Sequence, residues 1–267
     1  MRRPHWLMLV SLAALIVGMI APTGRAIASA NFHLTCMYVG SSNDDPIVRP
    51  GQPGATHLHD FFGNRSTNAM STLVNMGGAS TTCDVPGDRS GYWAPALIDP
   101  RGVAVKPIRL SAYYWNKGIE VKVPPSDLRI VAGGDTSNLR AAGYTCGEGT
   151  PTSSVPLDCG RKLLKGVVIF PSCWDGLNLD SADHRSHMSY PKGKGCPSTH
   201  PVPLPKLVLH VTYGIRNGAG YWLSSDAMMG LTQGRSMHAD FWNVWDARTL
   251  AEAVSVLNTG VTVSLGD

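Results

Sequence analysis

The sequence predicts a mainly β fold, a single-domain sandwich or jelly-roll-like arrangement with few helices, and three observations carry that expectation. The 267 residues hold 29 glycines and 19 prolines, with charged residues only 16% of the chain. Helical periodicity is nearly absent. Short apolar runs recur between turn-forming segments, the profile of many short strands joined by ordered loops. An α+β fold is the alternative.

In chain order, strands are expected at Phe32–Tyr38, Gly91–Ile98, Pro107–Trp115, Arg129–Ala132, Gly166–Phe170, Lys206–Tyr213 and Tyr221–Ser224. Val167-Val168-Ile169-Phe170 and Leu207-Val208-Leu209 are continuous apolar runs, as strands covered on both faces require. Residues 133–161, rich in Gly, Ser and Thr and holding Cys146 and Cys159, read as a stapled surface loop. One helix is expected over Ala247–Leu257, capped by Asp246, with Leu250, Val254 and Leu257 on one face and Asn258 and Gly260 at its end. Val261-Thr262-Val263 can add a last short strand.

The N-terminus has the layout of a cleavable leader. Arg2 and Arg3 precede an apolar run from Leu7 to Ile20, and Ala28-Ser29-Ala30 forms a small-residue cleavage site. The run is short for a span, which needs roughly 20 residues. The expectation is a signal peptide over 1–30 and one secreted domain over 31–267, with no membrane contact after cleavage. Arg2, Arg3 and Arg25 leave with the leader, so twenty basic side chains face 19 acidic ones and no basic block remains. That balance argues against nucleic acid as a partner.

All six cysteines (Cys36, Cys83, Cys146, Cys159, Cys173, Cys196) follow the leader. An even count in an exported chain reads as three disulfides. Short loops favour the sequential pairing Cys36–Cys83, Cys146–Cys159 and Cys173–Cys196. With no C-x-x-C pair, a zinc ribbon or redox motif is not expected.

Chemically able side chains gather in four clusters. In the first, His57-Leu58-His59-Asp60, a strand would project His57 and His59 to one side. Such a pair can ligate a divalent metal ion, with Asp60 orienting a ring. The alternative is two histidines satisfied by hydrogen bonds. The second runs from Cys173 to Met188. A cap at Ser181 would place His184 and His187 on adjacent helical positions, with Asp180 and Asp183 to orient them. His beside a carboxylate is a usual acid/base unit near neutral pH. Asp180 and Asp183 could also form a glycosidase carboxylate pair. Trp174, Asp175 and Asn178 of this stretch are candidate sugar-binding groups, the alternative being a polar loop whose Asp and Asn hold turns.

The third cluster, Cys196-Pro197-Ser198-Thr199-His200-Pro201, fixes His200 between prolines, as a binding or a structural group alike. The fourth repeats the two-apart spacing in His238 and Asp240, and its Trp242 and Trp245 can either stack on a sugar or fill the core. No G-x-S-x-G, H-E-x-x-H or Walker loop occurs, which disfavours α/β-hydrolases, zincins and P-loop enzymes.

The segments HLHDFFGN (57–64), GYWAPAL (91–97), FPSCWDGLNLDSADHRSHMSYP (170–191), CPSTHPVPLP (196–205), YWLSSD (221–226) and MHADFWNVWD (237–246) together resemble the domain of unknown function family nineteen-ninety-six. The resemblance implies a secreted protein of fungal or actinobacterial type, in a family where some members are fused to carbohydrate-binding WSC modules. It implies no reaction. One departure stands out: many members have a cysteine just after the last helix, where this chain has Asn258-Thr259-Gly260.

Two functions follow as expectations. One is an enzyme, a hydrolase or lyase of extracellular or cell-wall polysaccharide, using His57, His59, His184, His187 and His238 with Asp60, Asp183 and Asp240, either around one divalent metal ion or by acid/base chemistry. The other is a non-catalytic glycan- or wall-binding protein in which Trp174, Asp175, Asn178, Asp180, His200 and Trp242 contact sugar.

Overall fold

Ile47 and Met76, from segments between the strands, cover the outer face of one half of a large curved sheet, and that cover decides where the chemistry sits. The structure is a computed structural model. It describes residues 26–134, 136, 139, 141–193 and 195–266. The expected leader therefore falls mostly outside the described residues.

Among the described residues the strands are β1 (Asn31–Ser42), β2 (His59–Gly63), β3 (Gly91–Pro95), β4 (Leu97–Ile98), β5 (Pro107–Trp115), β6 (Arg129–Gly133), β7 (Ala142–Thr145), β8 (Lys165–Ile169), β9 (Cys173–Trp174), β10 (Met188–Ser189), β11 (Val202–Pro203), β12 (Lys206–Tyr213), β13 (Trp222–Leu223), β14 (His238–Trp242) and β15 (Val263–Ser264). The helices are α1 (Leu73–Gly77) and α2 (Ala247–Asn258). The mainly β class holds. A large sheet runs β6-β14-β3-β2-β1-β5-β12-β8-β7, antiparallel along that path, and closes nearly into a barrel-like sandwich.

The strand β1 joins the two halves. Its first part, Asn31–Met37, pairs with β5, and from Tyr38 on it pairs with β2, with a register shift between Tyr38 and Gly40. An irregularity of this kind bends a strand and turns a sheet's corner. The main core lies between the halves, with Phe32, Leu110, Tyr114, Leu209, Tyr92 and Phe241 among its buried residues. Alternation then sends the other residues of the second half outward. Phe61, Trp93, Val131 and Trp242 form a second core on that outer face, roofed by Ile47 and by Met76 of α1. A sheet half covered on both faces is why HDFFG and HADFW are buried along their whole length.

Differences from expectation are local. The segment 133–161 is not only a loop: Ala142–Thr145 is a buried strand, although it remains stapled by Cys146–Cys159. Asp246 caps α2, its Oδ1 accepting from Thr249 N–H at 2.9 Å. The disulfides pair sequentially, Cys36–Cys83, Cys146–Cys159 and Cys173–Cys196. At the start of the described chain Ala30 is fully buried, its N–H donating to Asn116 Oδ1 at 2.8 Å. No described helix is long and apolar enough to cross a membrane.

Candidate metal centre

His59 begins β2 and points to the outer face, and His57, two residues earlier, points the same way. Their ring centroids are 4.1 Å apart. His238, at the start of β14, lies on that face too, 5.0 Å from the His57 ring and 5.8 Å from His59. The strand between them, β3, sets Pro95 opposite His59. With only that small side chain intervening, imidazoles from β2 and β14 can meet.

The rings are oriented from outside the cluster. His59 Nδ1–H donates to the Asp44 carbonyl at 2.9 Å, and His238 Nδ1–H donates to the Ser236 carbonyl at 2.7 Å. Each bond leaves Nε2 as the lone-pair nitrogen, the arrangement by which proteins aim metal-binding imidazoles. The His57 ring is half-buried, but both of its nitrogens are buried and have no hydrogen-bond partner. Burial pushes His57 down to about 3, with His238 adding to the effect, and His238 down to about 4. His59 falls well below the usual imidazole range for the same reason. All three are neutral at physiological pH, the ligating form.

Two carboxylates complete the cluster. Asp240 follows His238 by two residues and is fully buried, yet neither of its oxygens has a partner. Asp45 comes from the roof loop, where its Oδ1 accepts from Ile47 N–H at 3.0 Å and Val48 N–H at 2.9 Å. The Trp93 indole N–H, itself without a hydrogen bond, faces the Asp45 carboxylate. Burial raises both carboxyls above the usual range, and Asp45 adds to the rise of Asp240. Ligand atoms of His57, His59 and His238 lie within 4.8 Å of one another, as do those of Asp45, His59 and Asp240. His59 belongs to both groups.

This donor set fits a metal ion on its own chemistry. A carboxylate buried without partners costs several kcal/mol unless a proton or a cation neutralises it. Imidazole nitrogens with carboxylate oxygens suit a borderline divalent ion such as Zn²⁺ better than Ca²⁺ or Mg²⁺, which prefer oxygen alone.

Other expected site residues lie around or apart from this centre. Asp60 alternates to the inner face, where Ser41 Oγ–H donates to it at 2.6 Å; burial raises it to about 7. His184 sits near enough to Asp45 to influence it electrostatically. It is not on a helical turn but in the left-handed region (φ 58), with Nδ1 3.0 Å from Asp180 Oδ1. A residue other than glycine held there marks a constrained loop. His187 is buried and turned away, Nε2–H donating to the Arg129 carbonyl at 2.6 Å and Nδ1 lying 2.9 Å from Ser181 Oγ. Asp183 accepts from Ser181 Oγ–H and from the N–H groups of Arg185 and Ser186, which hold its carboxyl well below the usual range. It is thus a turn-former, and Asp180 is committed to His184.

The expected sugar-contacting groups are mostly engaged within the protein. Asp175 Oδ1 accepts from Leu177 and Asn178 N–H, and Trp174 Nε1–H donates to the Asn178 carbonyl at 2.7 Å. His200 Nε2–H donates to the Ser186 carbonyl at 2.9 Å. Trp242 is buried, donates to Asp127 at 2.7 Å and is covered by the Arg129 guanidinium 4.1 Å from its ring. It is no open platform.

Two neighbours of the cluster went unseen in the sequence. Asp45 stands in an ordinary Asp-Asp-Pro loop with nothing to mark it. Arg185 Nη1–H donates to the carbonyl of Gly133, the residue paired with His238, at 3.2 Å, which sets an exposed guanidinium beside the cluster. Its charge helps hold His238 down and opposes the rise of Asp240.

No curated protein and no solved structure matches the chain. The family model described as Domain of unknown function (DUF1996) matches residues 45–245, a stretch that opens on Asp45 and takes in every residue of the cluster. The chain belongs to that family.

Proposed function

We propose that this is a secreted enzyme, a hydrolase or lyase of extracellular or cell-wall polysaccharide, working at the centre formed by His57, His59, His238 and Asp240 with Asp45. One observation supports it above the rest: the fully buried Asp240 carboxylate, without a hydrogen bond, close to His59 of the three-imidazole group. A divalent ion held there would polarise an oxygen of the sugar chain. His59 and His238 are fixed by backbone carbonyls and serve to hold. His57, whose two ring nitrogens are buried and have no hydrogen bond, is the third imidazole of the group. Arg185 offers a cation to an anionic substituent. Three disulfides support an oxidising, extracellular setting for this chemistry.

A second reading, glycan binding without turnover, draws support from depth. His59 and Asp240 are fully buried, and a roomy cavity lies elsewhere. The experiment that separates the two is metal analysis of the purified protein combined with digestion of a polysaccharide panel, followed by reducing-end release and by absorbance of unsaturated products. The enzyme reading expects a stoichiometric divalent metal and product release that Asp240→Asn abolishes. Saturable binding without product, in a metal-free or metal-loaded protein alike, would leave the second reading standing.

A further inference from the structure

A cavity of about 1020 Å³ opens on the other half of the sheet from the candidate metal centre, where β5 ends and β12 begins. Its volume is at the upper end of what small-ligand sites offer. Trp115 is the last residue of β5, and Lys206, the first of β12, is its cross-strand partner. The chain then turns at Lys117, in the left-handed region (φ 54), which returns its ammonium over the Trp115 ring at 5.2 Å. Tyr190 stands on the facing wall, its ring fixed by an O–H bond to the Ile169 carbonyl at 2.8 Å. That wall belongs to the loop closed by Cys173–Cys196.

Among the described residues the charges in this cleft are unbalanced. Lys117 and Lys206 both line it, and none of the described lining residues is acidic. Lys165 and Lys122, by contrast, each have an acidic partner, Glu148 and Glu120. Here burial and the neighbouring Lys117 both disfavour the charged form of Lys206. Two neighbouring cations with no acidic partner among the described lining residues gain more from an anionic ligand than from a neutral one. The exposed Tyr190 ring can take the C–H face of a sugar, and ammonium groups take carboxylates.

We propose that this cleft binds a carboxylated polysaccharide, a uronate-containing chain, at a site separate from the metal centre. The sugar identity of the ligand rests on the function proposed above; the anionic requirement rests on the cleft alone. Through the cleft the protein would hold an acidic polymer while a different stretch of that polymer meets the other face.

The test is affinity electrophoresis of the full secreted protein in gels containing polygalacturonate or, as the neutral probe, dextran. The variants are Lys117→Asn/Lys206→Gln, in which Asn tolerates the left-handed backbone, and Asp240→Asn, with folding followed by circular dichroism. Wild type should be retarded by polygalacturonate and not by dextran, the retardation weakening as salt rises. The double variant, folded and with unchanged metal content, should lose at least tenfold in affinity, whereas Asp240→Asn should keep it. Equal retardation by both polymers, no retardation of wild type, or an unaffected double variant would overturn the proposal. So would retention of a fatty acid in place of the polymer. Polygalacturonate binding by wild type with no product from any polymer would refute the enzyme reading and leave the cleft intact.

Discussion

Asp240 and His59 stand on strands that do not touch, with β3 between them, yet their ligand-forming atoms lie within 4.8 Å of each other. The sheet's outer face, and not the chain's order, brings them together. Since Asp240 has no hydrogen bond, replacing it should have opposite effects with and without metal. In the presence of a chelator Asp240→Asn should raise the melting temperature, because a buried group that must stay protonated is replaced by a neutral one. Without chelator the variant should melt below wild type, having lost a ligand whose binding stabilises only the folded state. Thermal melts of both proteins, with and without chelator, check this; a fall under both conditions would refute it.

His187 and His59 are both buried histidines, but they should fail differently. His187 ties the 181–188 loop to β6 through the Arg129 carbonyl. His187→Ala should therefore lower stability by about 2–3 kcal/mol, the cost of stranding buried polar partners and leaving a hole, with metal content retained. His59→Ala should lose the metal. Urea midpoints and metal stoichiometry, measured side by side, distinguish the two.

Asp88 gives a pH dependence away from the metal centre. It is fully buried, and burial raises it from 3.8 to about 6 even though the Tyr92 O–H donates to it at 2.7 Å. Between those values the folded chain holds a proton that the unfolded chain has released, so this group's contribution to stability falls as pH rises from about 4 to about 6. Asp88→Asn should flatten that part of the stability curve by no more than about 3 kcal/mol. Denaturation midpoints at pH 4, 5 and 6 would reveal it; an unchanged slope in the variant would assign the dependence to other groups.

Strands with plain alternation or long apolar runs were legible in the sequence: Pro107–Trp115 and Lys206–Tyr213 match the structure residue for residue. His238–Trp242 gave no strand signal because its polar residues, His238 and Asp240, face a covered surface, so inside and outside did not separate into apolar and polar. Ala142–Thr145 lacks β-branched residues except Thr145 and looked like its loop surroundings. In the candidate site, the two-apart spacings of His57/His59 and His238/Asp240 were readable because a strand's repeat is local. Asp45 was not, since only the folded roof loop brings it to those strands. His187 misled because a His/Asp-rich loop has one composition whether it holds a turn or a substrate.

The near closure of the large sheet has a consequence for the protein at high concentration. The strands at its two ends, β6 and β7, are only five and four residues long, and Arg185 occupies the outward carbonyls of the first. Little unpaired backbone is left for another chain to zip onto, which is how β-rich proteins avoid mutual aggregation. A chain of this build offers few open strand edges to other copies of itself, even where many copies are crowded together.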